Sequence, residues 1–441
     1  MKGLVGTRVI IVDDNQAEAL PMIKELSRRG IPAAYFDGTP ETLPAKSARL
    51  VGVRLAILDM DLVEGVTSQK AKISVLLTYL GRILDSDNGP YGVLAWTKHR
   101  DLQTMFAEAI FNEATVPNPI FVLGIDKESC KRAGDRFDLK LLSSQIESSL
   151  AGFSPLLLLQ AWEEKAFLAT THVTNEIAGL AAQPFPTLDA WQADSKQRIL
   201  QLMHSMASAE AGQLLSHSSC LSALYGSMNP LHTDRMEHYV AALSTELSPY
   251  ASEIMASTPN ADVDAVAKLN TMLHLSIGSE NGFYAGNIYT QSKLRTRIPT
   301  ETTLLKDLIA ANGPTMNQSI RSLAPLVKSV VVEINAMCDH AQQKIRTARF
   351  VAGVIVPRDQ LGKIKKKAEF LYDLGPFFLD SRLVHAGIYY IYLSGRHLLT
   401  MELSQVKDAK PYARLRGQAF NDLQVWFAYR TSRPGMLMLR G

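Results

Sequence analysis

Cysteine is scarce in this sequence, and its few occurrences form no pattern. The 441 residues include three cysteines, Cys130, Cys220 and Cys338, which are odd in number and far apart. Such spacing provides neither a disulfide framework nor a set of metal ligands, and it fits a reducing compartment. Because the amino terminus also leads directly into an apolar strand without a signal peptide, we expect a cytoplasmic protein.

Several signatures of common enzyme classes and of membrane proteins are also missing. The sequence has no P-loop, no dinucleotide-binding G-x-G-x-x-G, no HExxH zinc motif and no G-x-S-x-G nucleophile elbow. Apolar runs such as 155–159 are far too short to cross a membrane. The formal net charge of +3 argues neither for nor against nucleic-acid binding. The absence of these catalytic motifs counts against an effector enzyme on this chain.

The secondary-structure pattern predicted from the sequence changes twice along the chain. Strand and helix patterns alternate over residues 1–150, which predicts a doubly wound parallel sheet. Helical periodicity dominates residues 151–345, where the segment Gly226–Pro230 predicts a turn between two helices. Aromatic and β-branched runs, typical of strands, return over residues 346–441. We therefore predict an α/β fold with a five-stranded parallel sheet, a mostly helical second domain and a small α+β C-terminal module.

Carboxylates follow two of the apolar runs in the first 150 residues. Asp13 and Asp14 end the run Val9–Val12, and Asp59 ends the run Leu55–Leu58. In a sheet with strand order 2-1-3-4-5, strands one and three flank the point where the order reverses, and ligands bind there. Three carboxylates in one crevice repel one another unless a cation lies among them, and oxygen ligands suit Mg²⁺.

A hydroxyl and an ammonium group follow the next two strands. Thr97 ends the run 91–96, and Lys127 comes just after the run 120–125. Together with the aspartates, these groups form a set suited to phosphoryl transfer. A carboxylate attacks, while the metal ion, the lysine and the threonine neutralise or hydrogen-bond the phosphoryl oxygens.

Residues 6 to about 150 resemble a response-regulator receiver domain of bacterial two-component signalling. The resemblance lies in the segments VIIVDD, LAILDMD, VLAWT and FVLGIDK. It implies that Asp13 and Asp14 hold Mg²⁺, with Asp14 the more direct ligand, and that Asp59 accepts the phosphoryl group. It also implies that the backbone carbonyl of Asp61 completes the metal shell.

The same resemblance implies a donor and a readout. A histidine kinase would supply the phosphoryl group, and Thr97 and Lys127 would respond to the phosphorylated state. The output would then be a protein–protein interaction or simple buffering of phosphate. We expect no enzymatic activity beyond phosphorylation and dephosphorylation of the chain's own aspartate.

The sequence departs from the receiver pattern beside the expected site. Lys98 stands where a small residue is usual, and Glu128 stands where proline is usual; Trp96 adds bulk next to them. These departures favour an alternative, a pseudo-receiver scaffold that keeps the fold only for association. The acidic residues also have a simpler explanation, since Asp14 or Asn15 can cap the helix that follows.

The end of the chain suggests a setting. The segment 414–435, RLRGQAFNDLQVWFAYRTSRPG, is similar to the tails of receiver proteins from bacterial anti-phage defence two-component (Detocs-like) systems. This similarity implies a second receiver–effector protein as a further partner, and a homodimer is one option. A nucleic-acid-binding regulator acting through helices in 184–345 is a third hypothesis, and we expect no membrane partner.

Overall fold

A computed structural model gives the fold of most of the chain. Two compact units make up the chain: the first is Met1–Glu176 with Leu231–Ala256, and the second is Ile177–Pro230 with Ser257–Gly441. The described residues are 8–62, 68–97, 100–126, 128–132, 136–138, 140–141, 144–146, 148, 154–181, 187–212, 215–257, 262–277, 282–291, 294, 297–309, 313–341, 344–364, 369–380 and 385–431.

A parallel sheet forms the centre of the first unit. Its strands are β1 (Val9–Val12), β2 (Ala33–Phe36), β3 (Leu55–Asp59), β4 (Gly92–Thr97) and β5 (Phe121–Asp126). The order β2-β1-β3-β4-β5 is the one predicted from the sequence, and all neighbouring strands are parallel. The three central strands are buried along their length, because a sheet covered on both faces requires continuous apolar runs.

Helices cover both faces of this sheet. They are α1 (Gln16–Arg28), α2 (Gln69–Ile83) and α3 (Arg100–Phe111), and a short antiparallel pair follows, β6 (Lys131–Arg132) with β7 (Arg136–Phe137). Side chains of α2 and α3 pack into one apolar cluster with residues such as Leu58 and Val93. Met22 and Leu26 of α1 pack into a second cluster on the other face. The doubly wound α/β fold is thus confirmed.

A long helix, α4 (Ser154–Ala181), begins against the first unit's sheet. Leu156 is buried in the same apolar cluster as the α1 side chains. Glu163, two turns further, accepts hydrogen bonds from Arg54 Nε, at 2.9 Å, and from Arg8. Both arginines precede strands of the sheet, so Glu163 ties α4 to the edge opposite the carboxyl ends of the strands.

Further helices follow α4. They are α5 (Leu188–Ala211), α6 (Cys220–Glu246), α7 (Ser248–Ala256) and α8 (Val263–His274). The predicted turn at Gly226–Pro230 is wrong, since α6 runs through it. Pro230 removes the hydrogen bond to the carbonyl of Gly226, and the helix continues on both sides of it. A Cβ atom at Gly226 would lie 3.2 Å from the Glu210 carboxylate, so this glycine serves the close approach of α5 and α6. No described helix is long and apolar enough to cross a membrane.

An antiparallel sheet forms the centre of the second unit. Its strands are β8 (Leu275–Ile277), β9 (Asn287–Thr290), β10 (Lys328–Glu333), β11 (Thr347–Pro357), β12 (Leu371–Leu379), β13 (Gly387–Glu402) and β14 (Ala413–Leu415). The spatial order is β12-β13-β11-β10-β9-β14-β8. Residue 346, where the sequence predicts the start of the C-terminal module, falls inside this sheet's span because three of its strands precede that residue.

Helices also pack on both faces of this second sheet. They are α9 (Glu301–Leu308), α10 (Gly313–Leu323) and α12 (Gly417–Thr431), while the short helix α11 (Met337–Ala341) lies between β10 and β11 in the chain. The alternation of β10 shows the two layers: Val331 joins the cluster that contains the leucines of α9. Val330 and Val332 join the cluster that contains Phe420 of α12. The α+β module predicted near the C-terminus is therefore confirmed as a fold class.

A carboxylate of α9 holds an irregular segment of β13. The pairing of β11 with β13 shifts between Val351 and Ala352, which leaves residues 395–397 without a partner in the ladder. Asp307 accepts a hydrogen bond from the buried Ser394 hydroxyl at 2.9 Å. The same carboxylate lies 3.2 Å from Arg396 and 3.0 Å from His397 Nε2.

Replacing Asp307 by alanine should destabilise the second unit. The substitution leaves the buried Ser394 hydroxyl without its acceptor, which costs about 1–3 kcal/mol, while the exposed Arg396 adds little. We expect a lower urea midpoint for the transition of this unit. Asp408→Ala, at an exposed position near the end of the same sheet, should leave the midpoint unchanged. Equal midpoints for the two variants would contradict this role of Asp307.

Candidate functional site

The structure brings the three predicted aspartates together at the carboxyl edge of the parallel sheet. Val12 of β1 is paired with Leu58 of β3, so Asp13 and Asp59 leave neighbouring strands side by side. Candidate ligand oxygens of Asp13, Asp14 and Asp59 all lie within 4.8 Å of one another. Asp13 and Asp59 are buried, and Asp14 is exposed.

Backbone amides orient the two buried carboxylates. Asn15 N–H donates to Asp13 Oδ1 at 2.8 Å, and Asp61 N–H donates to Asp59 Oδ1 at 3.0 Å. The side chain of Asn15 accepts a hydrogen bond from Ala17 N–H and thereby caps α1. Because Asn15 is the cap, helix capping does not account for Asp14.

The negative charges of the acidic cluster affect the nearby phenol of Tyr35. The Tyr35 hydroxyl donates to the backbone carbonyl of Asp13 at 2.7 Å. Burial raises the pKa of Tyr35, and the negative charges of Asp13, Asp37 and Asp14 raise it further. A phenolate at this position would face three carboxylates, so Tyr35 remains a neutral hydrogen-bond donor at physiological pH.

The donor set fits a hard divalent cation. All three side chains offer carboxylate oxygens, and one of them, Asp13, is 0% exposed. A buried carboxylate beside two others is costly unless positive charge compensates it. Oxygen ligands at one to three carboxylates are the type of site that Mg²⁺ occupies in phosphoryl-transfer proteins. Asp13, Asp14 and Asp59 are therefore the residues that would hold such an ion.

Asp13→Asn tests whether the cluster binds Mg²⁺. The substitution removes one negative charge at a buried ligand position, and we expect Mg²⁺ affinity to fall about tenfold or more, which is ~1.4 kcal/mol. Asp37→Asn removes a nearby carboxylate that lies outside the cluster, and it should change affinity by about twofold at most. Isothermal titration of the full chain measures both. Equal losses in the two variants would point to a diffuse charge effect instead of a ligand role.

Some of the other predicted site residues lie among those that the structure describes. Thr97 is buried at the end of β4, one residue beyond Trp96, which is the cross-strand partner of Asp59. Trp96 is itself buried in the apolar cluster on the α1 face of the sheet. Lys127 and Lys98 lie outside the described residues.

One cation beside the site was missed by the sequence analysis. Lys72, in the first turn of α2, forms an ion pair with the side chain of Asp61. The backbone of Asp61, which the receiver resemblance assigns to the metal shell, also orients Asp59 through its N–H group. Nothing in the local pattern around Lys72 predicts this contact, because it joins residues 11 positions apart, one just after β3 and the other in α2.

No protein-family model, curated protein or solved structure matches this chain. The first unit is compatible with a receiver-like α/β fold through its strand order and helical layers. A functional proposal therefore depends on this fold and on the acidic cluster.

Proposed function

We propose that the first unit is a divergent receiver domain that accepts a phosphoryl group on Asp59 from a histidine kinase, with Mg²⁺ as cofactor. The observation that carries the proposal is the convergence of Asp13, Asp14 and Asp59 within 4.8 Å at the carboxyl edge of a 2-1-3-4-5 sheet. This edge is where open α/β sheets bind ligands.

The chemistry assigned to Asp59 is nucleophilic substitution at phosphorus. Asp61 N–H holds Oδ1 of Asp59 at 3.0 Å, and we assign Oδ2 as the attacking atom. A bond forms between Oδ2 and phosphorus while the phosphorus–nitrogen bond of the donor phosphohistidine breaks. The electron pair of the broken bond stays on the imidazole of the donor, which then takes up a proton. The product is an acyl phosphate on Asp59.

The neighbouring groups neutralise charge in this proposal. Mg²⁺, held by Asp13, Asp14 and Asp59 with the backbone carbonyl of Asp61, would supply positive charge for the phosphoryl oxygens. The hydroxyl of Thr97 would donate a hydrogen bond to one of these oxygens. Lys127, outside the described residues, is the proposed salt-bridging group.

The proposed output is a change in protein–protein contacts. The acyl phosphate on Asp59 carries about −1.5 to −2 charges in place of the single negative charge of the carboxylate, so the carboxyl edge gains about 0.5 to 1 negative charge. Such a change biases elements that have two arrangements. The similarity of the tail to defence-system receivers supports a second receiver–effector protein as partner and an anti-phage setting. Phosphate buffering is the other output that the proposal allows.

Beryllium fluoride, a stable mimic of an aspartyl phosphate, tests the proposal without a kinase. With Mg²⁺ present and beryllium fluoride at about 100 times its own dissociation constant, binding should stabilise the first unit by about 2.7 kcal/mol and raise its melting temperature by about 5–11 °C. Chelation of Mg²⁺ should abolish the shift. No shift in the presence of Mg²⁺ would favour the alternative, a pseudo-receiver scaffold.

A further inference from the structure

The second unit contains a cavity that has no part in the proposed phosphorylation. It lies where β14 ends and α12 begins, with β8 alongside, and its volume is about 370 Å³. Ala285, Met337 and Phe420 contribute apolar surface, and Ser276, Arg414 and Arg416 contribute polar groups. This size and this mixture are typical of sites for small molecules.

The two arginines are oriented by the sheet. Ala413 and Leu415 point into the apolar core, so Arg414, which lies between them in β14, emerges on the other face. Arg416 directly follows the strand. Arg414 Nε donates to the carbonyl of Ala285 at 3.1 Å, and Arg416 Nε donates to the carbonyl of Leu275 at 3.1 Å. Each bond fixes the plane of a guanidinium group, which carries five N–H donors in total.

Further contacts hold Arg414 at the wall of the cavity. Its guanidinium carbon lies 5.0 Å from the centre of the Tyr284 ring, within the range of a cation–π contact. Ser276 of β8 is its direct cross-strand partner, so the serine hydroxyl and the guanidinium start from adjacent positions. The site is therefore organised before any ligand enters.

The charged side chains among the described lining residues of the cavity all have one sign. Among its described lining residues two are arginines and none is acidic. Within the part of the chain that the structure describes, Arg416 has no carboxylate at ion-pair distance. Arg416 also precedes α12, and a guanidinium has no acceptor with which to cap the first amides of that helix. The helix therefore adds to the positive potential of the two arginines.

We infer that this cavity binds the phosphate group of a small organic phosphate. Two oriented guanidinium groups and a serine hydroxyl match the three terminal oxygens of a phosphate monoester better than the two oxygens of a carboxylate. Met337, whose side chain is 44% exposed, provides apolar surface for the body of the molecule. The inference is independent of the proposed function of Asp59.

The test uses the full chain with EDTA present, so that the acidic cluster holds no Mg²⁺. Adenosine monophosphate is titrated by calorimetry, with adenosine as the neutral comparison. We expect the monophosphate to bind with a dissociation constant below about 1 mM and adenosine not to bind. Arg416→Gln should weaken binding at least about tenfold. Arg321→Gln, an exposed arginine on α10, should bind as the wild type does.

A second variant covers the case in which Arg416→Gln fails to fold. Met337 lines the cavity, and its side chain is 44% exposed, so Met337→Glu adds a negative charge without removing a hydrogen bond. It should weaken binding of the monophosphate by a similar factor. The inference is overturned if the monophosphate does not bind at about 10 mM, if adenosine binds equally well, or if both cavity variants bind as the wild type does.

Discussion

Asp59→Asn is expected to reduce hydroxylamine-labile labelling by acetyl phosphate by about two orders of magnitude or more, to background. The amide of asparagine is a poor nucleophile, and an amide phosphate is not the acyl phosphate that hydroxylamine cleaves. The substitution preserves size and can still accept the hydrogen bond from Asp61 N–H. The fold should therefore persist while phosphorylation is lost. Circular dichroism of the variant checks that the fold is retained.

Asp87→Asn is the matched control for this experiment. Asp87 is exposed in the loop that follows α2, at the other end of the sheet from the acidic cluster. The charge change is the same as at Asp59, but no reacting group is nearby. Labelling of this variant should equal that of the wild type. If the Asp59 variant labels as strongly as the control, the assignment of the phosphoacceptor is wrong.

Glu163→Gln is expected to lower the free energy of unfolding of the first unit by about 2–3 kcal/mol. Breaking a buried ion pair costs about 3–5 kcal/mol, and the partial exposure of Glu163 reduces that cost. Arg54, whose side chain is 11% exposed, would lose its bidentate carboxylate partner. We also expect faster amide hydrogen exchange at the start of α4, since Glu163 fastens that helix to the sheet.

The pH dependence distinguishes this ion pair from a packing effect. Hydrogen bonds from Arg54 lower the pKa of Glu163 below its ordinary value of 4.5, burial opposes them, and Arg8 lowers it further. Because the folded-state pKa is depressed, the stabilisation is present above pH 4.5 and is lost as pH falls through the lowered pKa. The difference in the free energy of unfolding between the wild type and Glu163→Gln should therefore become smaller as the pH falls below 4.5.

Glu164→Gln provides the control for this ion pair. The side chain of Glu164 is 65% exposed, and its Oε1 atom lies 3.6 Å from Nζ of the neighbouring Lys165. Loss of such an exposed charge should change the free energy of unfolding by less than about 0.5 kcal/mol. If the difference in the free energy of unfolding between Glu163→Gln and the wild type does not change with pH, the ion-pair explanation is contradicted.

The parallel sheet and its acidic cluster were predictable because their signals are local. Each strand is a short apolar run followed by a polar residue, and the parallel arrangement places all such residues at one edge. Asp13 and Asp59 could therefore be placed together without knowledge of any long-range contact. The order of the strands followed from the resemblance to a receiver domain and from the rule on switch points.

The remaining features depend on contacts between distant segments. The short strands β8 and β9 lie among helical patterns, and they are strands because β14 and β10 pair with them. The ion pair of Glu163 with Arg54 joins residues 109 positions apart. In the sequence, Arg414 and Arg416 cannot be distinguished from ordinary surface charges. Only the three-dimensional structure shows that they line one cavity.

The most direct measurement is to locate the phosphoryl group on the protein. The full chain is incubated with acetyl phosphate and Mg²⁺ and then treated with borohydride, which reduces an aspartyl phosphate to homoserine. The peptides are identified by mass spectrometry. The proposal predicts homoserine at position 59 and, when Mg²⁺ is chelated, none at that position. Homoserine at another aspartate, or at none under conditions in which Mg²⁺ is bound, would contradict it.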